Sequence, residues 1–356
     1  MGRQIEIGTP RILTPREIYE RLDQYVIGQE RAKRAVAIAA YNHQKRLALK
    51  SRSSRCLVKK SNILLIGPTG SGKTHIARNL ASILEVPFTV VDATEYTEAG
   101  YYGKDVEVMI ADLLLRANHD VSLAQRGIVF IDEVDKIARR SQGARTGAGS
   151  RDIGGEGVQQ AMLKLLEGRE VFVPLNVTQH WSKHDFVQVD TTDILFVCAG
   201  TFSDLHGYEG ERSVGFGRSG GTTRRRKRIQ HRDLIEYGML AEFLGRLPVV
   251  VQLDELDEEE LYQVLTVPPD SIVREYAELL AADDITLAFG EDALRAVVRY
   301  AIEKKLGARA LRGIVEEVMA DVMFEAPERA GETISIDEAF VEERLHRLDA
   351  ATLVHA

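Results

Sequence analysis

Cysteine is nearly absent from this chain. The two that occur, Cys56 and Cys198, lie far apart with no partner at a zinc-ligand spacing, so neither a disulfide framework nor a metal-thiolate site is expected, and no zinc. Long hydrophobic runs are missing as well. Nothing approaches the ~20 apolar residues that span a bilayer, and the N-terminus has no charged segment leading into a hydrophobic signal core. A cytoplasmic protein with no membrane partner is the expectation. Positive charge is in deficit, the formal net charge being −8 over 356 residues, which makes nucleic acid an unexpected partner because phosphate binding needs clustered cations. One local exception, Arg224, Arg225, Arg226, Lys227, Arg228 and Arg232, follows the glycine-rich SVGFGRSGG and reads as a solvated loop. The 44% hydrophobic content is enough for ordinary packed cores, and the length suggests about two domains.

What is present is an ordered alternation. Thr14, Pro15 and Glu17 mark a helix start by capping box and first-turn proline. That helix runs to about Tyr25, Gly28 breaks it, and a longer helical pattern follows from about Gln29 to Lys50. From Asn62 short, continuously apolar strands alternate with helices: Asn62–Ile66, Phe88–Asp92, Ile128–Ile131 and Ile194–Ala199. Such runs suit a parallel sheet covered on both faces. After DELDEEEL, helical patterns dominate, with one short strand at Thr333–Ile336. The expected layout is an N-terminal helical segment (1–60), a doubly wound α/β domain (61–253), a smaller, mainly helical domain (254–345) and a tail (346–356).

The chemistry is announced by GPTGSGKT, in full Gly67, Pro68, Thr69, Gly70, Ser71, Gly72, Lys73 and Thr74, directly after the strand Asn62–Ile66. Glycines let consecutive N–H groups and the start of the next helix point at phosphate oxygens. This is the phosphate-loop pattern in its proper strand-to-helix context, which implies ATP: Lys73 for the β- and γ-phosphates, Thr74 for Mg²⁺. About 60 residues on, the strand IVFIDE ends in two acids. Asp132 is placed to share the Mg²⁺ with Thr74, and Glu133 to orient or deprotonate a water. Phosphoryl transfer also calls for an arginine where negative charge builds up. Arg246, in EFLGRLPVVV, and Arg309, in KLGARALR, are the two candidates; by spacing alone each could equally be a surface residue or a carboxylate partner.

Taken together, the phosphate loop, the acidic strand and the two-domain layout resemble an AAA+ ATPase. The strings LDQYVIGQERAKRAVAIAAYNHQKRL, EYTEAGYYGKDVE, GGEGVQQAMLKLLEG, EFLGRLPVVV and GARALRGIVEE resemble, in order, those of the ClpX family of protein unfoldases, from about Thr14 to Pro327. The resemblance implies an AAA+ P-loop NTPase fold and a homohexamer that unfolds tagged proteins and feeds them to a ClpP-like peptidase ring. It implies that Val26 and Ile27 contact adenine, that Arg246 reaches the ATP of a neighbouring subunit, that Arg309 senses nucleotide from the small domain, and that Thr201 lies near a further sensor position. By the same resemblance Tyr101, Tyr102, Arg151, Ile153, Lys183 and His184 belong to pore loops that meet substrate, and Val214, Gly215 and Phe216 to a peptidase-docking loop. An N-terminal zinc domain usual in the family has no counterpart in the residues before Thr14, so substrates and adaptors that use it are expected to be lost or rerouted. The related HslU type carries a large insertion between phosphate loop and acidic strand, for which there is no room here. Two other readings are a remodelling ATPase without a peptidase and a nucleic-acid loader using the basic run.

Overall fold

The computed structural model describes residues 12–52, 57–97, 104–139, 155–174, 186–205, 228–304 and 307–354. Helix α1 (Pro15–Asp23) begins at Thr14, whose hydroxyl accepts the Glu17 N–H at 3.2 Å while its own N–H donates to the Glu17 carboxylate at 2.8 Å. The capping box read from the sequence is therefore formed. Buried Ile18 and Leu22 set α1 against α2 (Glu30–Arg52).

The chain then alternates through β1 (Ile63–Ile66), α3 (Lys73–Leu84), β2 (Phe88–Asp92), α4 (Val108–Arg116), α5 (Val121–Ala124), β3 (Ile128–Asp132) and α6 (Glu156–Glu167). A hairpin of β4 (Glu170–Pro174) and β5 (Phe186–Asp190) follows, and β6 (Leu195–Gly200), α7 (His231–Tyr237), α8 (Ala241–Gly245) and β7 (Val249–Gln252) complete this part. The main sheet has the order β2-β3-β6-β1-β7, every pairing parallel. Its central strands are buried on both sides, and strand alternation sorts their side chains. Ile63, Leu65, Phe130 and Val197 face the layer holding α1, α2 and α3, whereas Leu64, Ile66, Val129 and Phe196 face the layer with α4 and α6. Phe130 and Phe196 are fully enclosed, so truncating either to alanine is expected to remove roughly 3–5 kcal/mol. Cys198 lies in the same interior, where burial pushes its thiol pKa up and leaves it a packing residue.

Parallel pairing brings the carboxyl ends of the strands to one edge. Ile66 lies in register with Gly200, and Asp92 with Asp132, so the phosphate-loop segment and the acidic strand end emerge side by side, where open α/β sheets bind ligands.

Beyond β7 lie α9 (Glu258–Thr266), α10 (Ile272–Ala281), β8 (Thr286–Phe289), α11 (Glu291–Glu303), α12 (Ala308–Glu325), β9 (Thr333–Ile336) and α13 (Glu338–Val354). They enclose a separate core around Leu265, Val297, Val315, Met319 and Ile336. The expected strand at 333–336 is present, and it has a parallel partner, β8, that the sequence pattern does not announce. α13 runs through position 346 as continuous helix. Among the described residues no helix is long and apolar enough to cross a membrane.

Candidate functional site

The loop after β1 is shaped by backbone that only small residues adopt readily. Gly70 and Gly72 have φ of +79° and +91°, and Gly72 caps α3 in a left-handed conformation. The first N–H groups of α3 are left pointing into the loop, an arrangement suited to phosphate oxygens. Lys73, the first residue of α3, is buried and donates to the carbonyls of Gly67 at 2.7 Å and Pro68 at 2.9 Å. Burial lowers its pKa, while Asp132 and Asp135 pull it back up. Gly67 and Pro68 thus bond the Lys73 ammonium and are not among the residues that line the neighbouring cavity.

Asp132 is the last residue of β3. Its Oδ2 accepts from the Thr74 hydroxyl at 3.5 Å, while its Oδ1 accepts the Glu133 N–H at 2.9 Å. One hydroxyl and one carboxylate converging beside a phosphate loop are the hard oxygen donors that Mg²⁺ takes, the remainder coming from phosphates and water. Among the described residues no group of three or more His, Cys, Asp or Glu could hold a metal without such help. Glu133 is left-handed at φ +56°, a conformation that costs an ordinary residue about 1–3 kcal/mol and recurs at working sites. The turn separates the two neighbouring acids. Behind them, buried Asp135 accepts the Thr201 N–H at 3.2 Å, tying the acidic turn to the end of β6.

A single cavity of about 800 Å³ joins these groups to the helical region. Its walls include Val26, Ile27, the loop from Thr69 to Thr74, Asp132, Glu133, Thr201 and Arg309. At the Val26 end, fully buried Lys33 donates to the Val26 carbonyl at 3.1 Å and pairs with Asp23 at 2.5 Å, holding that turn in place. Gln29 bonds both the N–H and the carbonyl of Asp254, at 3.0 and 2.7 Å, and reaches the Ser71 carbonyl at 3.5 Å. It therefore joins the phosphate loop to the connection between β7 and α9.

The helical region closes the opposite wall. A Cβ on Gly70 would stand 3.0 Å from the Ala308 nitrogen, and one on Gly307 would stand 3.2 Å from the Thr69 carbonyl oxygen. Gly307, at φ +65° and ψ −174°, caps α12 and delivers Arg309 into the cavity from its first turn. Arg312, one turn further, also lines the cavity and grips Glu275 of α10 with two hydrogen bonds at 2.9 and 2.6 Å.

Arg246 lies elsewhere. It is not in the cavity wall; its Nε and Nη2 donate to Glu167 at 3.0 and 2.5 Å, with both side chains about half exposed. Tyr101, Tyr102, Arg151, Ile153, Lys183, His184, Val214, Gly215 and Phe216 lie outside the described residues. Sequence reasoning passed over Arg78 and Arg312, both in the cavity wall. Helical spacing is the signal that could have found them: Arg78 is four residues after Thr74 on α3, and Arg312 three after Arg309 on α12.

Comparison with known proteins agrees with this geometry. Residues 58–250 match the model of the AAA domain (Cdc48 subfamily), and residues 256–336 that of the C-terminal, D2-small domain, of ClpB protein. The chain is similar to the ATP-dependent Clp protease ATP-binding subunit ClpX 2 of Wolinella succinogenes, 44% identical over 328 residues, 92% of this chain and 81% of that one. It is also similar to the ATP-dependent Clp protease ATP-binding subunit ClpX of Porphyromonas gingivalis, 45% identical over 343 residues, 93% of this chain and 82% of the relative. With the phosphate loop, the acidic strand and a small helical domain assembled around one cavity, the chain belongs to the ClpX family of AAA+ ATPases, enzymes that hydrolyse ATP.

Proposed function

We propose that this ATPase is a protein unfoldase, a homohexameric ring that pulls tagged polypeptides through a central pore and passes them to a ClpP-like peptidase. The observation that carries the reading is the two-sided cavity: the phosphate loop forms one wall, the start of α12 the other, with Gly70 against Ala308. A nucleotide there touches both parts of the chain, so a change in its phosphates can alter their angle. Lys73 is the cation for the β- and γ-phosphates, Glu133 takes the proton of the attacking water, and Arg309 reports the γ-phosphate to the small domain. Val26 and Ile27 receive adenine. Thr74 and Asp132 would hold Mg²⁺, which would supply positive charge beside the phosphates. Arg246, outside the wall of its own cavity and half exposed, serves the site of the next subunit.

Mechanical output falls to Tyr101 and Tyr102, with Arg151, Ile153, Lys183 and His184 meeting substrate along the pore. An aromatic ring grips by contact area and reads no particular sequence. Val214, Gly215 and Phe216 dock the peptidase, six weak contacts gaining from multivalency. The relatives' printed names, ATP-binding subunits of a Clp protease, support the peptidase partnership. Two substitutions separate the steps. Tyr101→Ala is expected to hydrolyse ATP yet unfold poorly, and Phe216→Ala to unfold normally yet fail to support degradation by the peptidase. Undiminished unfolding by the first, or undiminished degradation by the second, removes that residue from its role.

A further inference from the structure

The segment that carries Arg246 is held by one buried side chain that the functional reading does not use. Asn62, 1% exposed, sits immediately before β1. Its Nδ2 donates to the Arg246 carbonyl at 3.0 Å and to the Leu166 carbonyl at 3.3 Å, and its Oδ1 accepts the Phe196 N–H at 3.3 Å. Two carbonyl partners and one N–H partner leave a single amide orientation, so the site reads as an asparagine and as nothing of similar shape. The Asn62 main-chain carbonyl also accepts from the Val249 N–H at 3.4 Å. Asn62 therefore grips the Arg246–Val249 turn at both ends. Leu166 precedes Glu167, the carboxylate that takes the Arg246 guanidinium through both Nε and Nη2. The same turn of α6 is held from the other side by buried Thr191, whose hydroxyl donates to the Leu165 carbonyl at 3.1 Å and accepts the Arg169 N–H at 3.0 Å.

We infer that Asn62 and Glu167 are positioning residues for Arg246: Asn62 fixes the backbones of both partners of the pair, and Glu167 aims the guanidinium at the neighbouring subunit. This rests on the reading of Arg246 as an arginine supplied in trans. A half-exposed arginine has many rotamers, and holding it in one lowers the entropy lost when it meets a transition state. The device also connects the arginine to β1, whose far end is the phosphate loop, so that the giving and receiving faces of one subunit share a strand.

Mixed rings provide the test. Asn62→Ser is expected to lower ATP hydrolysis by about tenfold or more, short of the ~10³ that loss of such an arginine can reach, while its own nucleotide affinity stays within about twofold. Mixed in equal amounts with Glu133→Gln chains, which keep an intact Arg246, it should regain activity several-fold above either variant alone, because its sites are then served by a sound neighbour. Arg246→Ala mixed with Glu133→Gln is the control. Gain in the control but none with Asn62→Ser overturns the inference, since the damage then lies in the subunit's own site. No gain in the control removes the trans-acting arginine and the inference with it. Should Asn62→Ser fail to fold, Glu167→Gln, at an exposed carboxylate, takes its place: regained activity on mixing supports the inference and its absence overturns it.

Discussion

Gly307→Ala puts the contact between the phosphate loop and the helical region under direct strain. Gly307 has φ +65° and ψ −174°, a region open essentially to glycine alone, where another residue costs about 1–3 kcal/mol. The added Cβ would also stand 3.2 Å from the Thr69 carbonyl oxygen, tighter than ordinary van der Waals contact and against backbone that cannot swing aside. Both effects are relieved by one movement, withdrawal of the start of α12 from the phosphate loop, which takes Arg309 with it. If the whole strain falls on the closed arrangement, ATP binding should weaken roughly 5- to 150-fold. Gly313→Ala in the same helix is the matched control. A Cβ there meets nothing within 4 Å, and alanine for glycine in a helix interior gains about 0.5–1 kcal/mol. Titration with a fluorescent ATP analogue, alongside thermal melts, reads both. Affinity of Gly307→Ala within about twofold of the parent would refute the claim that this contact closes the site.

Burial pushes the His43 pKa down from its ordinary 6.5 to about 3, with Arg46 and Lys60 adding to the effect; below 6.5 the unfolded chain takes a proton that the folded one refuses. Stability should therefore fall as pH drops from about 6.5 toward 3, and His43→Leu should flatten that limb in urea melts; an unchanged slope would assign the acid sensitivity elsewhere. Gln29→Leu removes the link from the phosphate loop to Asp254, so KM for ATP should rise several-fold with the fold intact by circular dichroism; unaltered kinetics would reduce Gln29 to a local contact. Lys33→Met leaves Asp23 and the Val26 carbonyl without their cation and should cost about 1–3 kcal/mol in chemical denaturation, a loss that Lys33→Arg does not repair because the site holds a compact ammonium.

The sheet was legible because its strands announce themselves. Residues 63–66, 128–131 and 195–199 are unbroken apolar runs, and burial on both faces is what such runs mean. β8 was not legible: in TLAF three of the four residues are apolar, so its sequence shows no polar–apolar alternation, and the strand pairs with β9, more than forty residues later. The cavity was legible on the phosphate-loop side, where Lys73, Thr74, Asp132 and Glu133 sit in local motifs. Its other wall depends on the packing of α10 against α12, which places Arg312 on Glu275 across 37 residues of chain. No window of sequence contains that pair. Arg246 shows the same limit, since its partners Glu167 and Asn62 come from segments 79 and 184 residues away.

The central claim is that hydrolysis in this cavity is spent on unfolding protein. The measurement that tests it most directly is fluorescence of a stable, tagged fluorescent protein incubated with the chain and ATP, in parallel with phosphate release. The account predicts steady loss of fluorescence with ATP and none with Glu133→Gln, which should still bind nucleotide. Brisk phosphate release with fluorescence unchanged across the tags tried would contradict it.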